Sequence, residues 1–225
     1  MEILKAENIS RVYDGEFPVR AVDDLSLRVE KGEFVCIAGP SGSGKTTLLH
    51  LLGGLEKIDS GAVSIEGEDI GGFSRRQLAE LRLRKIGFVF QELNLIPVLT
   101  AEENIEYGLL LQGVGLVGRR ERVGRVMEEL GLSGLARRRP HEMSGGQRQR
   151  VAVARAVVSQ AAIVMADEPT ANLDSGNSRN LVEIMKKLNQ EKGITFVLAT
   201  HDELILNSAP RIIFLRDGKT VKETK

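Results

Sequence analysis

The sequence predicts an α/β protein whose core is a parallel β-sheet, and three observations support this fold class. Short, continuously apolar segments are typical of strands that are covered on both faces, and they occur at residues 34–38, 162–166 and 195–199. A segment of helical periodicity follows each of them, at 45–52, at 176–192 and directly after Asp202. The chain also has 24 glycines and only 4% aromatic residues, a balance that suits α/β units joined by tight loops.

Two further regions precede and interrupt this core. Residues 1–30 are predicted to form a mostly antiparallel β-subdomain, because polar and apolar residues are interleaved there. Residues 92–160 are predicted to form an inserted helical subdomain, which leaves 31–91 and 161–225 as the core. The predicted helices of the middle region are 74–85, 100–112, 119–131 and 145–159. We expect residues 2–222 to form a single domain of this composite kind.

The composition indicates a compact intracellular protein and disfavours several partners. Thirty-one Lys and Arg residues balance 31 Asp and Glu residues, so the formal net charge is zero and no nucleic-acid partner is expected. The single cysteine, Cys36, excludes an internal disulfide framework. No apolar run approaches the roughly 20 residues that span a bilayer, and no signal peptide is evident. Direct insertion into a membrane is therefore not expected.

A glycine-rich segment between the first core strand and its helix predicts a phosphate-binding loop, and hence a P-loop NTPase core. The segment matches G-x-x-x-x-G-K-[ST] without a gap, and its residues are Gly39, Pro40, Ser41, Gly42, Ser43, Gly44, Lys45 and Thr46. In such a loop, backbone N–H groups and a helix N-terminus face the phosphates. We expect Lys45 to reach the β- and γ-phosphates and Thr46 to bind Mg²⁺. The dinucleotide pattern G-x-G-x-x-G would need glycine at position 47, which is Thr47.

Two adjacent carboxylates, Asp167 and Glu168, end the second core strand, at the edge where α/β sheets bind ligands. Asp167 is expected to act at the Mg²⁺ site, and Glu168 could accept the proton of an attacking water. Without other motifs, two such carboxylates could equally be solvent-exposed residues with no catalytic role, at the point where a strand meets a loop. The phosphate loop in the same chain favours the catalytic interpretation.

Residues 143–150, M-S-G-G-Q-R-Q-R, resemble the L-S-G-G-Q signature of ATP-binding-cassette ATPases, with Met143 where leucine is usual. Ser144 is a favourable N-cap, and the two glycines after it leave the backbone bare at the positive end of a helix. In the family, this segment contacts the γ-phosphate of ATP that is bound to a second subunit. The resemblance therefore implies that Ser144, Gly145, Gly146 and Gln147 act across a head-to-tail dimer around two ATP molecules.

Further motifs of the same family follow in order along the chain. Gln91 matches the Q-loop glutamine that senses Mg²⁺ and the transport partner, and residues 169–174 match the D-loop that communicates across the dimer. His201 matches the switch histidine that contacts the γ-phosphate. Tyr13 matches the aromatic residue that stacks on adenine, although a tyrosine at a strand end is also common for structural reasons.

The resemblance thus implies three sets of site residues. The catalytic set is Lys45, Gln91, Glu168 and His201. The nucleotide site consists of residues 39–46 with Tyr13 and Thr47, completed by the signature residues of the second subunit. The Mg²⁺ site consists of Thr46, Gln91 and Asp167.

The resemblance covers residues 2–222 and narrows to one branch of the family. Residues 85–91, 94–97 and 99–104 resemble the cassettes of lipoprotein-release, macrolide-export and cell-division transporters. It implies an ATPase subunit that uses ATP and Mg²⁺ to drive a separate permease, and that forms a homodimer, or a heterodimer with a related cassette, when ATP is bound. It also implies a cytoplasmic location on the inner face of the membrane, where the permease holds the subunit.

Three other functions agree with these motifs to different degrees. An ATP-dependent regulator of the cell-division type, which moves no substrate, is not separable from a transporter by sequence. DNA-repair and translation cassettes usually carry tandem cassettes or coiled coils, and this chain has one phosphate loop. A nucleoside kinase has no role for residues 143–147 or for His201.

The loop after Gln91 is unusually apolar for a connector. Its apolar residues are Leu93, Leu95, Ile96, Pro97 and Leu99. We expect them to form an exposed patch that binds the permease, since such patches usually mark interfaces. The alternative is that they pack inward beneath the helical subdomain.

Overall fold

The computed structural model describes residues 1–224, which form strands, helices and two short 3₁₀ turns at Ser133–Leu135 and Pro140–Glu142. The strands are β1 (Glu2–Tyr13), β2 (Val19–Glu30), β3 (Phe34–Ala38), β4 (Ser60–Ile65), β5 (Glu68–Asp69), β6 (Ile86–Val89), β7 (Ile163–Asp167), β8 (Thr195–Thr200), β9 (Arg211–Arg216) and β10 (Lys219–Thr224). The helices are α1 (Lys45–Leu52), α2 (Arg75–Lys85), α3 (Ala101–Leu111), α4 (Leu116–Glu129), α5 (Gly145–Val157), α6 (Ser175–Lys192) and α7 (Glu203–Leu206).

The strands form two sheets. The larger one has the order β10-β9-β3-β8-β7-β6, in which β10 pairs antiparallel with β9 and the other neighbours are parallel. The smaller sheet is antiparallel and has the order β2-β1-β4-β5. The predicted fold class, a parallel α/β core with an antiparallel β-region and inserted helices, is therefore confirmed.

The antiparallel sheet includes a part of the chain that the sequence analysis placed in the core. Strands β4 and β5 belong to this sheet, although residues 60–69 fall within the 31–91 segment. Of the β4 side chains only Val63 and Ile65 are fully buried, so the alternation is too short to stand out. Gly61 weakens the strand pattern further. It is required because a Cβ atom there would lie 2.4 Å from the carbonyl oxygen of Glu7 on the neighbouring strand.

Alternating side chains give the parallel sheet two apolar faces. On one face, Cys36 and Leu198 belong to a buried cluster that also contains Ile105 of α3. On the other face, Val197 belongs to a second cluster that contains Leu4 of β1. The helical region and the antiparallel sheet therefore cover opposite faces, and the carboxyl edge of the parallel strands is left to the loops.

Side-chain caps define where the middle helices begin. Helices α2, α3 and α5 each start with a capping box, formed by the pairs Ser74–Gln77, Thr100–Glu103 and Ser144–Gln147. Helix α4 begins at Leu116, a few residues earlier than predicted, after Gly115. Among residues 1–224, no helix combines the length and the apolar character that crossing a bilayer requires.

The two edges of the parallel sheet differ in character. At one edge, β6 is largely buried, with Ile86 and Val89 in the core, and helices α2 and α5 pack against it. At the other edge, β10 is exposed along most of its length and carries Lys219, Lys222 and Glu223. The antiparallel pairing of β9 and β10 thus ends the sheet in a charged hairpin.

Candidate active site

The phosphate loop, residues 39–46, connects β3 to α1, and its glycines are required by its shape. Gly42 and Gly44 have φ angles of 78° and 99°, a region that side-chain-bearing residues rarely adopt. A Cβ atom on Gly44 would lie 2.1 Å from the carbonyl oxygen of Ala21, and one on Gly39 would lie 2.3 Å from that of Leu215. The loop is therefore encoded by its own residues and enclosed by backbone from two other strands.

Inside this loop, the side chains of Ser43 and Lys45 are buried. The Lys45 ammonium group donates hydrogen bonds to the carbonyl oxygens of Gly39 (2.9 Å) and Pro40 (3.0 Å). The Ser43 hydroxyl oxygen is buried and has no hydrogen-bond partner among residues 1–224. An unsatisfied buried hydroxyl and a buried ammonium beside glycine N–H groups fit a phosphate chain, which supplies the acceptor oxygens that these donors need.

The Mg²⁺ residues predicted from the phosphate loop and from β7 meet in the structure. The Thr46 hydroxyl donates a hydrogen bond to a carboxylate oxygen of Asp167, at 3.1 Å. Burial raises the pKa of Asp167, and the Thr46 hydrogen bond opposes that shift. A hydroxyl and a carboxylate are oxygen ligands of the kind that Mg²⁺ uses when nucleotide phosphates complete its coordination. The pair therefore fits the predicted ion.

Glu168 is held at the junction of two strand ends. Its φ angle is 43°, which is unusual for a non-glycine residue, and its N–H donates to the carbonyl oxygen of Ala199 at 2.8 Å. One carboxylate oxygen accepts a hydrogen bond from the Thr200 hydroxyl at 2.8 Å, and the other lies 2.7 Å from Nδ1 of His201. The structure thus brings together Glu168 and His201, which are far apart in sequence.

A cavity of about 410 Å³ opens beside this pair, and Glu168 and His201 both line it. Thr170 and Asp202 also line it, and the Thr170 hydroxyl donates a hydrogen bond to the Asp202 carboxylate at 2.5 Å. The Glu168 side chain is largely buried, whereas that of His201 is 69% exposed. The imidazole is therefore accessible at the surface while the carboxylate is held beneath it.

The signature segment, Ser144–Gln147, begins helix α5 at a different place. The Ser144 hydroxyl accepts a hydrogen bond from the N–H of Gln147, and the Gln147 side chain accepts one from the N–H of Ser144. A Cβ atom on Gly146 would lie 2.5 Å from the side-chain oxygen of Asn177, so a larger residue there would have to displace that side chain. A Cβ atom built on Gly145 or Gly146 would meet only Asn172, Leu173 and Asn177 within 4 Å outside the helix, and no atom of the phosphate loop.

Gln91 lies just beyond β6 and is exposed. Its carbonyl oxygen accepts a hydrogen bond from the side-chain amide of Asn172, at 3.3 Å. Its side chain makes no hydrogen bond to any other residue in the described part of the chain. The structure places Gln91 on a loop at the carboxyl edge of the parallel sheet, the same edge as Thr46 and Asp167, without joining it to that pair.

Tyr13 lies beside the start of α1 and is held by polar contacts. Its hydroxyl group donates to Glu56 at 2.6 Å and lies 3.4 Å from the Thr47 hydroxyl. The Arg11 guanidinium lies 4.9 Å from the centre of the ring. Burial, followed by the hydrogen bond with Glu56, raises the pKa of the Tyr13 phenol. The ring is near the phosphate loop, and Arg11 occupies one side of it.

The predicted exposed patch after Gln91 is wrong for four of its five residues, because only Pro97 is exposed and the others are half-buried. Leu93 and Leu95 are partly buried against the cluster beneath the helical region, as the alternative interpretation expected. Pro97 is exposed, and Val98 is 72% exposed. Side chains of this loop are drawn inward because the same cluster extends under α3 and α5.

The exposed apolar surface lies beside this loop instead. A cavity of about 590 Å³ runs between α2, β6 and the ends of α3 and α5, with Leu55, Leu83, Phe88 and Leu111 in its lining. Leu111 is 55% exposed. We refer to this cavity as the lateral groove.

Comparison with known proteins identifies the family. The sequence pattern of the family described as ABC transporter matches residues 22–171. The chain belongs to the ABC transporter family. It is the ATP-hydrolysing domain, the ATP-binding cassette, of such a transporter, as the sequence resemblance predicted.

Several relatives cover almost the whole ABC ATPase chain. An uncharacterized ABC transporter ATP-binding protein of Thermotoga maritima is 43% identical over 219 residues, which are 97% of this chain and 93% of that protein. The macrolide export ATP-binding/permease protein MacB of Hyphomonas neptunium is 41% identical over 99% of this chain, but the match covers only 34% of MacB. This chain therefore corresponds to about a third of MacB.

A solved structure agrees in fold over nearly the full length. It is the dimeric, post-hydrolysis state of the ATP-binding cassette MJ0796 bound to ADP and Pi, a protein of Methanocaldococcus jannaschii. Its TM-score to the ABC ATPase chain is 0.92, at 40% sequence identity, and the match covers 99% of this chain and 98% of that one. The fold and the family are thus established by independent comparisons.

Several residues that organise the site were not found by sequence reasoning. Thr200, which donates to Glu168, adjoins His201 and could have been noticed as a polar residue at the end of a buried strand. Asn104 and Arg155 lie within predicted helices and carry no local pattern that sets them apart. Their partners in the loop after Gln91 become visible only in the folded chain.

Proposed function

We propose that two copies of this ABC ATPase close head to tail around two ATP molecules, and that this cycle drives a separate membrane permease of the export or lipoprotein-release type. The observation that carries the dimer is the separation of two phosphate-binding elements within one chain. The phosphate loop and Glu168 lie together, whereas Gly145 and Gly146 lie against residues 172–177. A second copy would supply the signature segment that the first copy cannot bring to its own site.

Within each site, the residues have distinct roles. The N–H groups of the phosphate loop and the Lys45 ammonium hold the phosphates, and Thr46 and Asp167 hold Mg²⁺. The ion, when bound, neutralises charge that develops on the phosphates. Glu168 accepts a proton from the attacking water, and Thr200 and His201 orient its carboxylate. Phosphoryl transfer requires mainly positioning and charge stabilisation from a protein, so these roles suffice for hydrolysis.

The substitution Glu168→Gln tests the catalytic role and the dimer together. It preserves the side-chain volume and removes the base, so turnover should fall by roughly 10²–10⁴-fold while ATP binding remains. It also removes a negative charge beside the triphosphate, which favours the closed state. Sedimentation with Mg-ATP should show a dimer, and exchange into ADP should return the monomer. A monomer under both conditions at tens of micromolar protein contradicts the dimer, and wild-type turnover contradicts the base.

The lateral groove is the surface that we assign to the permease. It is concave and mostly apolar, and Asn94 of the loop that begins at Gln91 contributes to its lining. MacB, by its name, combines an ATP-binding part with a permease. The match with this chain covers roughly one third of MacB. These observations support a contact between the groove and a membrane protein.

The permease contact can be tested with one groove variant and one control. Leu111→Asp places a charge in the groove, whereas Val221→Asp places one on β10, where the side chain is similarly exposed. Both variants should keep the ATPase activity of the isolated protein. Only Leu111→Asp should lose co-purification with a permease that is co-expressed with this chain and that binds the unaltered protein. Normal co-purification of Leu111→Asp contradicts the assignment. If a permease binds but no substrate moves, the chain is a regulator of the cell-division type.

A further inference from the structure

The loop that follows β6 contains two consecutive residues in a conformation that they would not adopt alone. We call residues 91–100 the Gln91 loop. Leu93 and Asn94 have φ angles of 60° and 47°, in the left-handed region. Side chains with a Cβ atom disfavour this region, and the leucine side chain has no polar group that could compensate with a hydrogen bond to the nearby backbone. Two such residues in sequence therefore indicate that the surrounding structure holds the loop in this shape.

Arg155 holds the loop at these two residues. Its guanidinium donates one hydrogen bond to the carbonyl oxygen of Leu93 at 2.7 Å and another to that of Asn94 at 2.5 Å. Within residues 1–224, Arg155 forms no ion pair, and burial lowers its pKa. A partly buried cation without a carboxylate partner depends on these carbonyl dipoles for its stabilisation. The planar fork of arginine suits two adjacent acceptors, and lysine cannot reproduce it.

Arg155 connects the loop to the signature segment through a single helix. It lies near the end of α5, which begins directly after Ser144. Arg155 is ten residues after Gly145, so the two are separated by roughly 15 Å along the helix axis, at 1.5 Å for each residue. The loop is also held at its other end, because the buried side chain of Asn104 bonds the backbone of Ile96 and Leu99. Arg155 thus supplies the hydrogen bonds between the Gln91 end of the loop and the signature helix, beside the apolar packing of Leu93 and Leu95.

We propose that Arg155 is a positioning residue that makes the Gln91 loop and the signature helix move as one body. When the signature segment closes on the nucleotide of a second copy, the loop that carries Gln91 follows it. The purpose of that motion rests on the proposed function. The hydrogen bonds that connect Arg155 to the loop are a property of the isolated chain. Its consequence is that Arg155 affects turnover without contacting ATP.

The connection can be measured with spin labels on the loop. Glu92→Cys places a label beside the Arg155 contact, and Val98→Cys places one beside the Asn104 contact, at positions that are both exposed. Cys36 is buried and burial raises its pKa to about 12, so this thiol does not compete for the label. Each label is examined with native Arg155 and with Arg155→Lys, which keeps the charge and most of the stem.

We expect Arg155→Lys to make the label at position 92 more mobile, which sharpens its electron paramagnetic resonance spectrum. The spectrum of the label at position 98 should be unchanged. Turnover should fall about tenfold or more, as expected for losing a charged hydrogen bond, whereas the KM for ATP should change by less than about twofold. Arg150→Lys is the matched control, because Arg150 lies on the same helix and donates to the carbonyl oxygens of Gly146 and Leu130 instead. It should leave both spectra unchanged.

Two results would overturn the proposal. One is an unchanged spectrum at position 92 in Arg155→Lys. The other is equal sharpening at both positions, which would make Arg155 a general stabilising residue. If Glu168→Gln fails to dimerise while the spectra behave as expected, the proposed dimer is wrong and the connection through Arg155 stands.

Discussion

The phosphate loop and the Gln91 loop both follow parallel strands and lie at the same edge of the sheet, but they are held in place differently. The phosphate loop depends on its own glycines, with positive φ angles at Gly42 and Gly44 and neighbouring backbone too close for a side chain at Gly44. The Gln91 loop depends on side chains from three other segments, namely Asn172, Arg155 and Asn104. A loop of the first kind can be recognised from its sequence, and a loop of the second kind cannot.

The largest effect should come from removing the backbone freedom of the phosphate loop. Gly44→Ala forces a side chain into positive φ and into the Ala21 carbonyl, so it should destabilise the protein by about 2–5 kcal/mol and abolish ATP binding. Gly42→Ala meets no atom within 4 Å and should cost only about 1–2 kcal/mol for its φ angle. Urea unfolding and ATP titration measure both quantities. Equal losses in the two variants would show that contact with Ala21 is unimportant.

A smaller effect should come from removing a side chain that holds the Gln91 loop. Asn104 is buried and bonds one N–H group and three carbonyl groups of the loop, belonging to Ile96, Leu99 and Thr100. Asn104→Ala leaves the Ile96 N–H group and the Leu99 carbonyl without a partner, whereas the other two carbonyls still accept backbone hydrogen bonds, so the free energy of unfolding should fall by about 1–3 kcal/mol. ATP affinity should be unchanged, because the phosphate loop is held independently.

Gln112→Ala at the C-terminal end of the same helix is a suitable control, since it removes one hydrogen bond to the Leu83 carbonyl. Its unfolding free energy should fall by about 1 kcal/mol or less. Weakened ATP binding in Asn104→Ala but not in Gln112→Ala would indicate that the two loops are coupled in the free chain.

The smallest effect on stability comes from the charge of a buried carboxylate, and it depends on pH. Burial raises the pKa of Asp167 in the folded state, so its contribution to stability is fully present below the unfolded pKa and is lost as the pH rises through the folded pKa. Asp167→Asn should therefore melt at a higher temperature than the wild type at neutral pH, with the difference vanishing in acid. Its Mg²⁺-dependent ATPase activity should be lost. A lower melting temperature at neutral pH would contradict the prediction.

Asp174 is a suitable control, because its pKa is shifted in the opposite direction. Hydrogen bonds from the N–H and side chain of Asn177 lower its pKa, so its stabilisation is present above the unfolded pKa and is lost as the pH falls. Asp174→Asn keeps the helix N-cap and loses only the charge. It should melt at a lower temperature than the wild type at neutral pH, and the two curves should converge in acid.

The part of the fold that could be predicted is the part encoded locally. Strands β3, β7 and β8 are continuously apolar and each is followed by a helix, so their class and order could be inferred. Strand β4 could not, because it pairs with β1 across a long stretch of sequence and contains Gly61 where the backbones approach closely, and the two-residue β5 only adds to its outer edge. The strand itself gives little sign of that pairing.

The same division applies to the site. Lys45, Thr46 and Asp167 were predicted from motifs, and the structure brings the last two into contact. The prediction that Tyr13 stacks on adenine remains untested, and the structure adds Arg11 and Glu56 as neighbours that no motif indicated. The inward packing of Leu93 and Leu95 depends on the cluster beneath them, which only the folded chain assembles.

The contrast between the two edges of the parallel sheet has a consequence for self-association. An unprotected edge strand accepts a strand from another molecule, which leads to open-ended growth and aggregation. Here β6 is covered by helices, and β10 presents Lys219, Lys222 and Glu223 to solvent. Both edges of this sheet therefore disfavour open-ended growth. The dimer that we propose would accordingly use the loop surfaces and not strand pairing along this sheet.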